Sequence, residues 1–129
     1  GSVEAAGIDS FFTDEVLPVR GEPLTVNLGL YNNENSELAI DSITFEVGGE
    51  TVHEADLAAA GLGSVASMST GSYSFDYTYD GVGSMEMTAV VHATMNGVQK
   101  VYKSVLKLSD KGYHRRNPLQ RLCDRLLWR

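Results

Sequence analysis

The chain has 129 residues, of which 43% are hydrophobic, and this is enough for one domain whose core needs no covalent crosslinks. Glycine is frequent and proline is scarce, with 13 and 3 residues, and this composition favours pleated strands joined by tight turns. Cys123 is the only cysteine, which excludes an internal disulfide.

The net charge of −7 is unevenly distributed along the chain. Residues 1–110 carry four basic and 16 acidic groups, a charge of −12, whereas residues 111–129 carry six basic groups and one acidic group, a charge of +5. The acidic body argues against a nucleic-acid interface built on phosphate contacts, and its acidity favours solubility. No signal peptide or membrane span is present, and Gly1-Ser2 is typical of a cloning remnant, so we expect a fragment of a longer protein.

The first third of the chain predicts two strands and a polar loop. Val3–Thr13 is the first predicted strand. Leu24–Leu30 alternates strictly, with every second residue apolar, which is typical of a half-buried strand. Asn32–Ser36 is rich in side-chain oxygens, but their spacing matches no EF-hand, so we expect a solvated loop there.

The middle of the chain predicts three further strands. Ile43–Val47 supplies an inward set of side chains, and a glycine pair then leads into a short strand near Thr51–His53. Glu54–Ala60 fits either a helical turn or a crossing segment, and the Ser-rich stretch 64–72 predicts a loop. Tyr73–Tyr79 alternates aromatic with small polar residues, so we expect its rings to pack in the core rather than to form a stacking platform for ligands.

The strongest local signal is a hairpin in which Met85–Met95 and Val98–Leu108 are joined by a two-residue type I′ turn at Asn96-Gly97. The turn fixes the register, and both faces agree with it. The predicted pairs are Met95 with Val98, Val91 with Tyr102, Ala89 with Ser104, Met87 with Leu106 and Glu86 with Lys107.

The outer face of this hairpin carries Val90, Val101 and Val105 beside Thr88 and His92. A solvent face is ordinarily more polar. Either something covers this side, such as the terminal helix, a neighbouring domain or a second chain, or these are scattered valines on an open face.

Short strands separated by turns, with no alternating helices, indicate an all-β fold, an antiparallel sandwich of about seven strands over residues 3–109. A barrel would need a more even strand spacing.

Residues 110–129 form a basic tail. Asn117-Pro118 is a good helix start, and an amphipathic helix is predicted over about 118–128. Such a short helix is marginal alone, so it would dock on the sandwich, begin a following domain or linker, or lie on a membrane or in a partner's groove. Its candidate contact residues are Leu119, Arg121, Leu122, Arg125 and Trp128.

No pattern of catalytic, cofactor-binding or metal-binding residues is found. His53, His92 and His114 stand far apart without a second ligand at a metal-like spacing, and we expect them at the surface. Cys123 has no histidine at a spacing that makes a nucleophile pair, and we expect it to be a core residue of the helix. Nucleophile-elbow, phosphate-loop and dinucleotide motifs are missing, so we predict a protein that is not an enzyme and needs no cofactor.

Three stretches, Gly21–Leu28, Tyr31-Asn32-Asn33 and Gly83 followed by Thr88–Val91, resemble bacterial immunoglobulin-like modules of the fibronectin type III and CARDB-like kind. The resemblance covers residues 3–109. The chain departs from antibody domains, because it lacks their Cys-Trp-Cys core and has Met85 and Met87 where many sandwiches carry a tyrosine corner. The resemblance implies an immunoglobulin-like sandwich from an exported or cell-surface bacterial protein, where such modules act as spacers, adhesive units or protein-binding units.

The sequence therefore predicts a non-catalytic accessory, spacer or interaction module of a larger bacterial secreted or cell-surface protein. Its partner would be another protein or a neighbouring domain of the same polypeptide. The expected working surfaces are exposed sheet edges, the loop at 32–37 and the outer-face residues Val90, Val101 and Val105. The alternative is an anchoring or assembly module whose basic helix makes weak contact with an acidic membrane or enters a partner's groove. An enzyme fragment or a cofactor-binding domain is a third and more distant hypothesis.

Overall fold

A computed structural model describes residues 5–14, 21–79 and 84–108 of the chain. These residues form eight strands and one short helix, α1, at Leu57–Ala60. No helix among them is long and apolar enough to cross a bilayer. The strands are β1 Ala6–Thr13, β2 Pro23–Asn32, β3 Leu38–Val47, β4 Glu50–Glu54, β5 Ser64–Val65, β6 Ser69–Thr78, β7 Met85–Met95 and β8 Val98–Leu108.

The strands form two antiparallel sheets that pack face to face. One sheet has the order β1-β2-β6, and the other has the order β4-β3-β7-β8, with β5 also paired to β3. The first, second and sixth strands thus oppose the third and the last two, which is the partition of an immunoglobulin-like sandwich. The predicted antiparallel sandwich is confirmed, with eight strands in the described residues rather than about seven. The predicted terminal helix lies outside the described residues.

The core forms because alternate residues of each strand point into the space between the sheets. Along β2 the apolar residues at even positions are all buried, and along β7 the odd positions from Met85 to Met95 are buried. The largest fully buried side chains are Phe45, Leu28, Leu30, Leu38, Ile43, Met87, Val26, Val65, Val91 and Asn32.

The β7–β8 hairpin has the register that the sequence predicts. Met95 pairs with Val98, and the ladder continues without a shift to the pair of Met85 with Leu108. Asn96 and Gly97 both adopt positive φ angles, 54° and 80°, as a type I′ turn requires. Lys107 Nζ lies 3.6 Å from Glu86 Oε2, but both side chains are well exposed, so this ion pair adds little stability.

The prediction of a loop over 64–72 is wrong. Ser64–Val65 forms β5 by pairing with the start of β3, and β6 begins at Ser69. The Ser-rich composition conceals these strands because small polar residues suit the outer face of a sheet as well as they suit a loop. The helical turn predicted within Glu54–Ala60 is found as α1, where Asp56 caps the Ala59 amide.

Candidate interaction surface

Three valines lie on the outer face of the β7–β8 hairpin. Val101 and Val105 of β8 are 52% and 55% exposed, whereas Val90 of β7 is only 7% exposed. Val90 pairs directly with Lys103, which stands between the two β8 valines on their strand. Val90 is therefore covered by its neighbours, and the part of this cluster that meets solvent belongs to Val101 and Val105.

Strand β8 also carries every lysine and arginine of the described residues, namely Lys100, Lys103 and Lys107. Lys107 pairs with Glu86, whereas Lys100 and Lys103 have no carboxylate within 4.0 Å in the described part of the chain. The rest of the described residues bear only acidic charges. On their face of β8 the exposed valines thus alternate with Lys103 and Lys107, while Glu86 lies opposite Lys107 and Asp41 lies near Val101.

An open groove of about 450 Å³ lies on the other side of β8, between this strand and β1 of the opposite sheet. Its lining combines Tyr31, Tyr102 and Lys100 with Gly7 and Ser104. Both tyrosines have further interactions within the protein. Aromatic rings beside a cation form a surface that accepts apolar and anionic side chains. The groove therefore extends the surface formed by Val101, Lys103 and Val105, called the β8 surface below, around the edge of this strand.

A second group of side chains joins the two sheets on the opposite side of the sandwich. His53 of β4 stacks on Phe75 of β6, with ring centroids 4.0 Å apart and an interplanar angle of 1°. The His53 Nε2 atom is hydrogen-bonded to the Tyr73 hydroxyl at 2.5 Å. Burial lowers the pKa of His53, while burial and then the Asp56 carboxylate raise the pKa of Tyr73.

His53 therefore corrects the expectation that all three histidines lie at the surface. It is half-buried because its strand position, opposite Phe45, turns the ring toward the aromatic residues of β6. His92 is exposed on the outer face of β7, as expected, and His114 lies outside the described residues. The aromatic rings of β6 pack against the core, as predicted, but remain partly exposed.

The last residue of β2, Asn32, has a structural role at the start of the polar loop. Asn32 is fully buried, and its Nδ2 donates to the carbonyl oxygens of Ser36 and Val65 at 2.8 and 3.0 Å. Its Oδ1 accepts from the Glu34 amide at 2.9 Å. Asn32 thus fixes the loop and β5 to the end of β2, and it is not part of a working surface at 32–37.

The sequence contained a signal for this role. The inward positions of β2 are even-numbered, from Leu24 through Leu30, and the same alternation places Asn32 inside. Of the predicted contact residues, the structure brings Val90, Val101 and Val105 together on one face. Leu119, Arg121, Leu122, Arg125 and Trp128 lie outside the described residues.

Within residues 5–14, 21–79 and 84–108, no three side chains of His, Cys, Asp or Glu are arranged to hold a metal ion. The pair of His53 and Tyr73 links two sheets by a hydrogen bond. The arrangement on β8 presents two exposed valines with lysines beside them.

Comparison with known proteins shows similarity of fold and no similarity of sequence family. No protein-family profile matches the sequence, and no curated protein matches it. Among solved structures, the chain is similar to Northeast Structural Genomics Consortium target SoR45, with a TM-score of 0.56 and 8% identity over 84% of this chain and 89% of that one. It is also similar to the VesB protease of Vibrio cholerae, with a TM-score of 0.54 and 14% identity over 78% of this chain.

The chain spans 31% of the length of VesB. A PapD-like domain of human CEP192 matches at a TM-score of 0.49 and 14% identity, over 81% of this chain and 82% of that one. At these identities, the likenesses to SoR45 and VesB extend to the two-sheet fold and no further.

Proposed function

We propose that this chain is a non-catalytic interaction module of a larger bacterial secreted or cell-surface protein, of the fibronectin type III or CARDB-like kind. Its partner is another protein or a neighbouring domain of the same polypeptide. The observation that supports this proposal is the exposure of Val101 and Val105 on an edge strand. The match to VesB, which covers under a third of that protein, is in keeping with a domain that forms one part of a longer chain.

The valines supply the apolar centre of the proposed contact. Full burial of a valine side chain contributes about 1.5–3 kcal/mol, so covering the exposed halves of Val101 and Val105 would contribute about 1 kcal/mol each. Val90 lies beside them on the paired strand β7 and is itself buried. A rigid, β-branched pair loses little side-chain entropy on binding, which favours a specific contact.

The lysines supply the rim. Lys103 lies between the two valines and Lys107 follows Val105 on the same face. Interfaces typically place an apolar centre inside a charged or polar border, and border charges set orientation and association rate. The surface therefore fits a partner with an apolar patch bordered by carboxylates.

Photo-crosslinking tests the proposal directly. A photoreactive amino acid is placed at position 101 or 105 of the natural full-length polypeptide in its native host, and at position 52 as a control. Val52 is a matched control because it is also an exposed valine, 38% accessible, on the far edge strand β4 of the same sheet. We expect one discrete adduct from positions 101 and 105 and none from position 52.

Mass spectrometry of the adduct would identify the partner, including an internal crosslink to a neighbouring domain. No adduct from either β8 position, or equal adducts from all three positions, would contradict the proposal.

A further inference from the structure

The four sheet edges of the sandwich differ in how they prevent pairing with other strands. Strand β1 is interrupted by a bulge between Ile8 and Ser10, and β4 has five residues and a bulge of its own. Strand β8 carries three lysines, of which Lys100 lies on the inward side. Bulges, short length and edge lysines, particularly inward ones, are the ordinary devices that block strand addition.

Strand β6 has none of these devices. It pairs with β2 over ten residues without a register shift, and it contains no lysine and no proline. Its one charged side chain is Asp76. In the described part of the chain, the backbone of Ser69–Thr78 forms hydrogen bonds with β2 and with no other strand.

The position beside β6 is also one that related sandwiches fill. In constant-type immunoglobulin domains a fourth strand covers the corresponding edge of this sheet. Here the segment that precedes β6 in the chain is β5, Ser64–Val65, which pairs with β3 of the other sheet instead. Tyr73, Phe75 and Tyr77 on the inward side of β6 consequently remain half-buried.

We propose that β6 pairs antiparallel with β6 of a second copy of this chain, about a two-fold axis at Ser74, so that the two β1-β2-β6 sheets become continuous. Residues directly opposite must face the same side of the sheet, and on β6 the odd positions face inward. A two-fold axis at Ser74 satisfies this condition. It places Ser72 opposite the partner's Asp76, Thr70 opposite the partner's Thr78, and Tyr73 opposite the partner's Phe75.

The sequence of β6 is self-complementary in this register. No two like charges are opposite, because each Asp76 faces a serine hydroxyl that can donate to it. On the inward side, Tyr73 and Phe75 form aromatic cross-strand pairs that cover ring surface left exposed in one copy. These features favour a second copy over an unrelated strand.

The charge of the domain gives this dimer a distinctive salt dependence. Residues 1–110 carry a charge of −12 and the full chain carries −7, so two copies repel each other. Salt screens that repulsion, and dimerisation therefore strengthens as ionic strength rises. Binding of a basic peptide to the same edge would weaken under the same change.

Sedimentation velocity on the full chain and on three variants tests the proposal. Ser74→Lys and Ser74→Glu each place two like charges opposite each other on the axis, and each should weaken the dimer roughly fivefold or more. An equimolar mixture of the two variants should recover the dimer as a mixed pair, because lysine then faces glutamate. Ser72→Lys is the matched control, since it makes the same change on the same face but sets lysine opposite the partner's Asp76, and it should leave the dimer intact or strengthen it.

Ser74 is exposed, and its hydroxyl donates one hydrogen bond to Asn27, at 2.7 Å, so the variants should remain folded. Equal thermal unfolding of the monomers would establish this. The proposal is overturned if the wild-type chain stays monomeric up to about 1 mM at high salt, if Ser74→Lys dimerises as well as Ser72→Lys does, or if the mixture fails to recover. The β8 surface is a separate part of the molecule, so these outcomes leave the crosslinking test of the proposed function unaffected.

Discussion

Asn32 shows how one buried polar side chain can organise a stretch of chain without regular structure. Its amide group forms hydrogen bonds with four backbone groups, the Ser36, Val65 and Ala66 carbonyls and the Glu34 amide, which belong to two segments of the chain. Buried polar groups that are fully bonded specify one arrangement, whereas the same groups unpaired carry the full cost of leaving water. We therefore assign Asn32 a structural role.

Replacement of Asn32 by alanine should lower the free energy of unfolding by about 2–4 kcal/mol, because it removes the hydrogen bonds that the buried amide makes to the Ser36, Val65 and Ala66 carbonyls and to the Glu34 amide. Urea unfolding followed by circular dichroism measures the change. Asn33→Ala is the control: Asn33 is the next residue and is exposed, so its loss should change stability by less than about 0.5 kcal/mol. Equal midpoints for the two variants would show that the Asn32 bonds contribute nothing.

At the scale of elements, β4 and β6 belong to different sheets and are joined by side chains. The His53 ring stacks on Phe75 and bonds to Tyr73, so a strand of five residues is fixed to the opposite sheet. The neutral ring is favoured here because burial lowers the pKa of His53. Protonation should therefore weaken this link between the sheets.

The sign of the pH dependence follows from that pKa. The unfolded chain, with a histidine pKa of about 6.5, binds the proton more readily than the fold does. The contribution of His53 to stability is complete above this pH and is lost as the pH falls below it. Urea midpoints between pH 5 and about 8 should thus decline more steeply on acidification in the wild-type chain than in His53→Phe, which keeps an aromatic ring but cannot titrate.

His92→Phe, at an exposed position, should follow the wild type. Parallel curves for the wild type and His53→Phe would be inconsistent with this role.

Local elements were predictable from the sequence, and those that depend on distant pairing were not. The β7–β8 hairpin could be assigned residue by residue because Asn96-Gly97 fixes a two-residue turn and the alternation on both strands then fixes the register. Strand β5 has two residues, too few for a periodic pattern, and it exists because it reaches β3, more than twenty positions earlier in the chain. The bulge in β4 likewise turns His53 inward by a shift that alternation alone does not reveal.

For the whole molecule, the candidate surface was partly predictable. The pattern placed Val90, Val101 and Val105 on one face, and the structure agrees, but alternation could not show that neighbouring strands cover Val90 and leave the other two exposed. Exposure depends on the strands on either side: β7 lies between β3 and β8, whereas β8 is an edge. The concentration of the described cations on β8 was visible in the sequence but became a surface feature only when that strand was placed at the edge.

The account rests on a domain that buries one side of the β7–β8 hairpin and presents the other, with two valines of the edge strand in solvent. Methyl NMR with a soluble paramagnetic agent measures this for every valine at once. We predict strong relaxation of the Val101 and Val105 methyl groups, with Val26, Val90 and Val91 protected. Methyl groups of Val91 relaxing as fast as those of Val101 would contradict both the sandwich and the surface proposed on it.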